Sequence, residues 1–392
     1  MTGAGAAEYV VPPRAARVAP WIGLKRILAV RLDAAGDVVM TTPALRALRA
    51  IRPERLTLLT SASGAAVAEL LPEIDDVIVY DAPWMKATPG VVDPGRDAAF
   101  IERLRAERFD AAAIFTVHSQ SPLPAAMMAY LADIPRRLAH CHENPYELLT
   151  DWVPDPETDQ PLRHEVRRQL DLLAHVGIET SDEHLSLHVP DVASRAIRER
   201  LAYLGIGPRD PWLLVHPGAT APSRRYPPDR LAEVLRRLGV RTDWPIVLTG
   251  SRSERRLVED VRAGADGLGI SLAGQLTTAE LAAVVAVAPM LLTNNSLPAH
   301  IAAAVGTPVV DLYALTNVQH TPWAVPNRVL SVDVPCKGCR RSVCPLGHNR
   351  CLHGVEPTDI VDAILELARE TGMSERRTAR TTTRGGVPVL AR

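Results

Sequence analysis

Short apolar runs alternate along the chain with stretches of helical spacing. Residues 25–30 (KRILAV) end in an unbroken apolar run and predict a buried first strand, and residues 44–51 (ALRALRAI) space their leucines as a helix does. Between them lies RLDAAGDVVMTTP, residues 31–43, a glycine-containing turn. Strand, turn and helix make the first unit of a doubly wound sheet, which binds ligands at the carboxyl ends of its strands and so places Asp33, Gly36 and Asp37 where chemistry is done. Thr41 and Thr42 before Pro43 have the form of an N-cap followed by proline in the first turn. Taken alone, the stretch is equally compatible with Asp37 doing no more than capping a helix.

The pattern repeats. Strands are predicted at residues 56–60, 77–80 and 109–117, with helices at 65–71 and 97–108. Residues 139–156 (AHCHENPYELLTDWVPDP) are polar, aromatic and interrupted by proline, and read as a loop. Its His142, Glu143 and Asn144, with His140 and Tyr146, suit recognition of hydroxyl groups on an acceptor; a structural loop with satisfied side chains is the plainer reading. Residues 164–176 form an amphipathic helix stopped by Gly177, and 179–190 read as a connection. A second alternating series starts at Pro211, with strands at 212–215, 245–249, 290–293 and 308–313 and helices at 230–238, 279–287 and from Ser296 to Val305. The expected architecture is α/β, with two Rossmann-like doubly wound domains and a cleft between them. The boundaries are a loose leader at 1–22, a first domain at 23–185, a second at 186–373 and a disordered tail at 374–392.

Composition narrows the function. A formal net charge of -1 over 392 residues argues against a nucleic-acid binder. No apolar run is long enough to span a membrane, and the first twenty residues lack the apolar stretch of a signal peptide. A cytoplasmic enzyme is the expectation, and peripheral membrane contact is compatible with it. Lysine occurs only at Lys25, Lys86 and Lys337, so the arginine content reads as compositional bias.

Turns of the second half point toward one site suited to an anion. The strand end at His216 leads to Gly218 and Thr220, where backbone N–H groups are open to a phosphate, and Arg224 and Arg225 follow. Ser296 opens a helix whose free first-turn N–H groups favour a diphosphate, with His300 in that turn as a further donor.

RILAVRLDAAGDVVMTTPALRAL, HPGATAPSRRYPPDRLAEVL, LTGSRSE and TNNSLPAHIAAAVGTPVV together resemble glycosyltransferase family 9, the ADP-heptose:lipopolysaccharide heptosyltransferases and their relatives. The resemblance runs from about residue 25 to 367. It implies a GT-B fold whose N-terminal domain takes the acceptor and whose C-terminal domain takes the nucleotide-sugar. It implies transfer of a sugar, a heptose by the family's precedent, with inversion and no catalytic metal. The aspartate of the family's Gly-Asp pair is its general base and falls on Asp37; the phosphate-contacting basic residue falls on Arg224. Gly250 with Glu254, and Asn295 with Ser296 and His300, match segments that face the donor. Asn295 and Leu297 stand where the family commonly has aspartate and glycine, which weakens the match for the donor sugar more than for the donor class. In GT-B enzymes a terminal helix such as 357–367 often packs back across the domain boundary.

Cys336, Cys339, Cys344 and Cys351 place four thiols within sixteen residues, among Lys337, Arg340, Arg341 and Arg350. Nearby cations favour thiolates, and in a cytoplasmic chain the spacing reads first as a closed structural Zn or Fe site, with redox disulfides or free thiols as alternatives. Cysteine-rich segments of this kind also occur in members of the family. The rival functions are a nucleotide-sugar epimerase and a catalytically retired, metal-stabilised binding or assembly module, the latter motivated by Asn295 and Leu297.

Overall fold

The computed structural model describes residues 21–85, 92–155 and 163–373. Most of the predicted leader and all of the predicted tail lie outside them. Trp21, counted with the leader, is fully buried in the core.

Two six-stranded sheets, parallel throughout, carry the chain. The first holds β1 (Arg26–Arg31), β2 (Arg55–Thr60), β3 (Asp76–Val79), β4 (Ala111–Ile114), β5 (Arg136–Cys141) and β6 (Asp151–Pro154) in the order β3-β2-β1-β4-β5-β6. The second holds β7 (Leu213–His216), β8 (Ile246–Leu248), β9 (Ile270–Ser271), β10 (Leu291–Asn294), β11 (Val309–Leu312) and β12 (Asn327–Leu330) in the order β12-β11-β10-β7-β8-β9. Both orders are the Rossmann order, so each sheet has its switch point beside its first strand, between β1 and β4 and between β7 and β10. The doubly wound expectation is met in both halves.

The unbroken apolar run of β1 has a direct cause. Ile27 and Ala29 point into one core while Leu28 and Val30 point into another, because successive strand residues face opposite sides of a sheet covered on both. The first of those cores does not stop at the first sheet. It continues through Val38 and Val39 of the helix Ala35–Met40 to Ile301 and Ala302 of the helix Leu297–Val305, and on to Leu214 of β7. The two halves therefore share one apolar interior.

The structure corrects two sequence expectations. Residues 139–156 are not one loop: β5 runs to Cys141, a 3-10 turn spans Tyr146–Leu148 and β6 follows. The polar residues of β5 hid the strand. Arg137 is buried yet satisfied, its guanidinium donating to the backbone carbonyls of Leu148 and Glu147 as well as Ile134. The helix Pro357–Glu370 stays with the second sheet, packing Ile360, Val361 and Ile364 against the helix Pro228–Arg241 and the β11 face. No helix among the described residues is long and apolar enough to cross a membrane.

Candidate active site

Arg31, the last residue of β1, is fully buried, and its guanidinium organises three carboxylates. Nη1 donates to Glu165 Oε1 at 2.9 Å, Nε lies 3.2 Å from Asp33 Oδ2, and Nη2 lies 3.4 Å from Asp37 Oδ1. Glu165 opens the helix Glu165–Ala174 and is itself held by Gln169 Nε2 at 3.0 Å. A buried cation is tolerated only when paired and hydrogen-bonded, and this one is.

Asp37 uses its two oxygens differently. Oδ2 accepts the Ala34 N–H at 3.2 Å, capping the helix Ala35–Met40, while Oδ1 faces Arg31 and lies 3.7 Å from His320 Nδ1 of the second half. Oδ2 thus meets the capping expectation, and Oδ1 is left facing the second half. Burial would raise the carboxyl, but Arg31 foremost, with His320, His300 and Arg224, outweighs it and keeps Asp37 below the ordinary carboxylate value. Arg31 and Arg224 are the permanent cations of that group, since burial pushes both His300 and His320 down to about 3 and leaves them neutral. Asp33 goes the other way, raised to about 6 by burial against the pull of Arg31, with Asp37 adding repulsion. Its Oδ1 accepts from Gln120 Nε2 at 2.7 Å.

The glycine before Asp37 is required by the second half. A Cβ on Gly36 would lie 2.7 Å from His300 Cδ2. His300 itself is buried against that helix with Nδ1 unpartnered.

Three cavities meet this region. A cleft between the halves is walled by Asp33 and Asp37 on one side and by Arg224, His320, Arg340 and Arg341 on the other. Beside it, in the first half, a cavity of about 290 Å³ runs under Asp33, Gln120, Phe115 and Trp84. In the second half another of about 290 Å³ is lined by His216, Thr220, Gly250, Glu254 and the Ser296 turn. Arg224 reaches the cleft from the 3-10 turn Pro222–Arg224, donating to Asn295 Oδ1 at 3.3 Å, and Asn295 Nδ2 donates to His320 O at 3.2 Å.

The predicted donor residues thus divide. Thr220, Gly250, Glu254 and Ser296 line one cavity, Arg224 lines the cleft and Asn295 braces it, while His300 packs beneath. Gly218 makes room for Glu254, whose Oε1 would lie 2.1 Å from a Cβ there. Glu254 in turn accepts the Ser251 N–H at 2.7 Å and stands 3.9 Å from His216 Nε2. Ser296 caps no helix with its side chain, donating instead to Asn294 O at 3.2 Å; the free first turn expected there is only partly so, because Pro298 has no N–H and the Ala299 N–H is taken by Ser296 O at 3.0 Å.

The predicted acceptor trio is placed elsewhere. His142 Nε2 donates to the His118 carbonyl at 2.8 Å, Glu143 accepts from Ser121 Oγ at 2.9 Å, and Asn144 accepts the Tyr146 N–H at 2.9 Å. None of the three lines these cavities. Residues not singled out from the sequence, Glu165, Gln120, His320, Arg340 and Arg341, occupy the site instead. The one legible signal was Arg31, a charge ending an otherwise apolar strand.

The four cysteines form no disulfide. Burial raises the Cys351 thiol, and the sulfurs of Cys336, Cys339 and Cys344 raise it further, so the four sense one another. The Cys344 sulfur accepts the Asn349 N–H at 3.4 Å; backbone N–H groups from Leu346 to Asn349 overcome burial and hold its thiol low. The sulfurs are not drawn into a tight group. Among the described residues, the group with three ligand atoms within 4.8 Å of one another is His118, His142 and Asp155. There Asp155 is already engaged by Arg168, with Nη2 at 2.7 Å.

Comparison with known proteins agrees with this layout. Residues 98–349 match the model of glycosyltransferase family 9 (heptosyltransferase). Lipopolysaccharide heptosyltransferase 2 of Salmonella typhimurium is 23% identical over 359 residues, covering 89% of this chain and all of that protein. Lipopolysaccharide heptosyltransferase 3 of Escherichia coli is 25% identical, covering 74% of this chain and 82% of the relative. Among solved structures, a family 9 glycosyl transferase from Veillonella parvula superposes with a TM-score of 0.71 at 20% identity, over 88% of this chain and 97% of the other. The E. coli ADP-heptose lipopolysaccharide heptosyltransferase II gives 0.67 at 21% identity, over 88% and 99%. A family model that covers well over half the chain, relatives matched nearly end to end and two sheets of the same winding lead to one conclusion: the chain belongs to glycosyltransferase family 9, the heptosyltransferases.

Proposed function

We propose that this glycosyltransferase moves a heptose from ADP-heptose to a hydroxyl of a lipopolysaccharide acceptor, at the cytoplasmic face of a membrane that it does not span. The names of its relatives motivate donor and acceptor. The observation that carries the reading is Asp37, a carboxylate held ionised at the wall of a cleft with Arg224 across from it.

The nucleoside occupies the cavity lined by His216, Thr220, Gly250 and Glu254. Glu254 is positioned to accept from ribose hydroxyls. The diphosphate then runs past Ser296 to Arg224, and the anomeric carbon comes to the Asp37 wall. Asp37 takes the proton of the acceptor hydroxyl as its oxygen attacks from the face opposite the diphosphate, which inverts the centre. Arg224 meets the negative charge that grows on the leaving diphosphate, with the positive end of the Leu297–Val305 helix beside it. Arg31 holds Asp37 in place and ionised, and Glu165 holds Arg31. The cavity under Asp33 and Gln120 takes the acceptor.

Cys336, Cys339, Cys344 and Cys351 supply an all-thiolate set that fits structural Zn or Fe, and the N–H groups around Cys344 favour the thiolate such a metal binds. The metal takes no part in transfer.

Calorimetric titration with ADP-heptose, GDP-heptose and UDP-sugars tests the donor. ADP-heptose binding is expected to weaken by about tenfold to a hundredfold in Arg224→Ala, the worth of one charge-assisted contact. Failure of wild type to bind any nucleotide-sugar contradicts the reading.

A further inference from the structure

The four-cysteine segment lies against the site. Gly338 N–H donates to Leu315 O at 2.7 Å and Arg340 N–H to Thr316 O at 2.8 Å. From the other side, Ser223 donates its N–H to Ser342 O at 3.0 Å and its hydroxyl to Arg341 O at 2.8 Å. Thr316 is itself a cleft residue and Ser223 immediately precedes Arg224, so the loop is fastened to both banks of the cation wall. Arg340 has a φ of 54°, a left-handed backbone that arginine seldom adopts. With it the loop brings Arg340, Arg341 and Ser342 to line the cleft that holds Asp37.

These cations share the cleft with Asp33 and Asp37 but form no ion pair with them. Most arginines that the site and its frame use are paired, as Arg31 is with Glu165 and Arg168 with Asp155. Among the described residues, Arg224, Arg340 and Arg341 have no carboxylate within ion-pair distance, and Arg224 touches only the neutral amide of Asn295. Three guanidinium groups facing one cleft call for an anion carrying more than one charge. The chain itself indicates which. Thr220 lines the nucleoside cavity, Ala221 and Arg224 line the cleft, and Ser223 between them bonds the cysteine loop. A nucleoside in the first space and a sugar at Asp37 leave the diphosphate alongside this segment.

Resting on the glycosyltransferase reading, we infer that Arg340 and Arg341 bind the donor diphosphate together with Arg224, and that the four-cysteine loop is the device that presents them. Cys336 and Cys339 precede the two arginines and Cys344 follows them; Cys351 is anchored by its carbonyl, which accepts the Val332 N–H at 2.8 Å, and by the core packing of Leu352. A structural metal held by the four thiolates would fix both ends of the arginine turn.

The test is calorimetry on the full chain as purified, titrated with ADP and GDP and, separately, with adenosine and guanosine. Arg340→Ala with Arg341→Ala is expected to weaken the preferred nucleoside diphosphate by about tenfold or more while leaving the nucleoside within about twofold. The lysine pair restores part of the loss. The melting temperature holds, because both side chains are exposed and unpaired. Cys344→Ser is expected to reproduce the diphosphate loss with nucleoside affinity intact, and to add nothing to the double arginine variant. Unchanged diphosphate affinity in the arginine variant overturns the inference and leaves the glycosyltransferase reading standing. A defect confined to the acceptor KM also overturns it, by moving the arginines to an acceptor anion. A wild-type chain that binds neither nucleoside diphosphates nor nucleotide-sugars overturns the reading beneath it.

Discussion

Asp37, the proposed base, has a place in the fold as well. One oxygen closes the first turn of a helix and the other is presented to the cleft. Asp37→Asn keeps the shape and removes the base, so kcat is expected to fall by about 10²- to 10⁴-fold with ADP-heptose affinity nearly unchanged. The neighbouring histidines set a pH dependence of stability rather than of chemistry. His300 and His320 stay neutral in the fold down to about 3, whereas the unfolded chain protonates them near 6.5. The unfolded state therefore binds more protons between those values, and stability falls as pH drops below about 6.5. Asp37, held below its ordinary value, also loses its contribution on acidification; Asp33, raised to about 6, opposes both by losing stability as pH rises from about 4 to 6. Denaturant midpoints measured at pH 5, 6 and 7 should rise with pH in wild type and rise less steeply in His300→Gln. Parallel slopes would contradict this assignment.

At the scale of elements, the helix Ala35–Met40 and the helix Leu297–Val305 are the joint between the halves, and Gly36 is its contact point. Gly36→Ala forces a Cβ against the His300 ring and should cost about 1–3 kcal/mol, with loss of activity. His300→Ala should recover part of that loss in the double variant, and additive losses would count against a direct contact. The elements readable in the sequence were those whose cores are plain. The apolar run of β1 and the leucines of the next helix announced themselves, because burial on both faces leaves no polar interruption. β5 was not readable, since Arg136, Arg137 and His140 disguise a strand, and the buried side chains of Arg137 and His140 donate to backbone carbonyls. Arg340 and Arg341 were visible only as cations among cysteines; their place in the cleft depends on hydrogen bonds to Thr316 and Ser223, which no local pattern encodes. Glu165 lies 134 residues from the Arg31 it neutralises.

The molecule as a whole is two Rossmann sheets sharing one interior, with chemistry at the seam. Because the core of the first sheet continues into helices and a strand of the second, heat unfolding is expected as a single cooperative transition by both fluorescence and calorimetry. Two resolved transitions would show that the halves fold independently. Further contacts fasten the seam. Glu165 N–H donates to Gln319 O at 3.0 Å, and His164 stacks on Trp323 with ring centroids 4.4 Å apart. The helix that pairs with Arg31 is thus also the one that grips the segment carrying His320. One helix thus holds both Arg31, beside the proposed base, and the seat of the second half.

The most direct test of the central claim is heptose transfer from labelled ADP-heptose to a truncated lipopolysaccharide core, comparing wild type with Asp37→Asn at equal donor occupancy measured by titration. Wild type is expected to transfer heptose, and the variant to lose at least about a hundredfold while the donor remains bound. Transfer by Asp37→Asn at the wild-type rate would contradict it, because the base would then lie elsewhere.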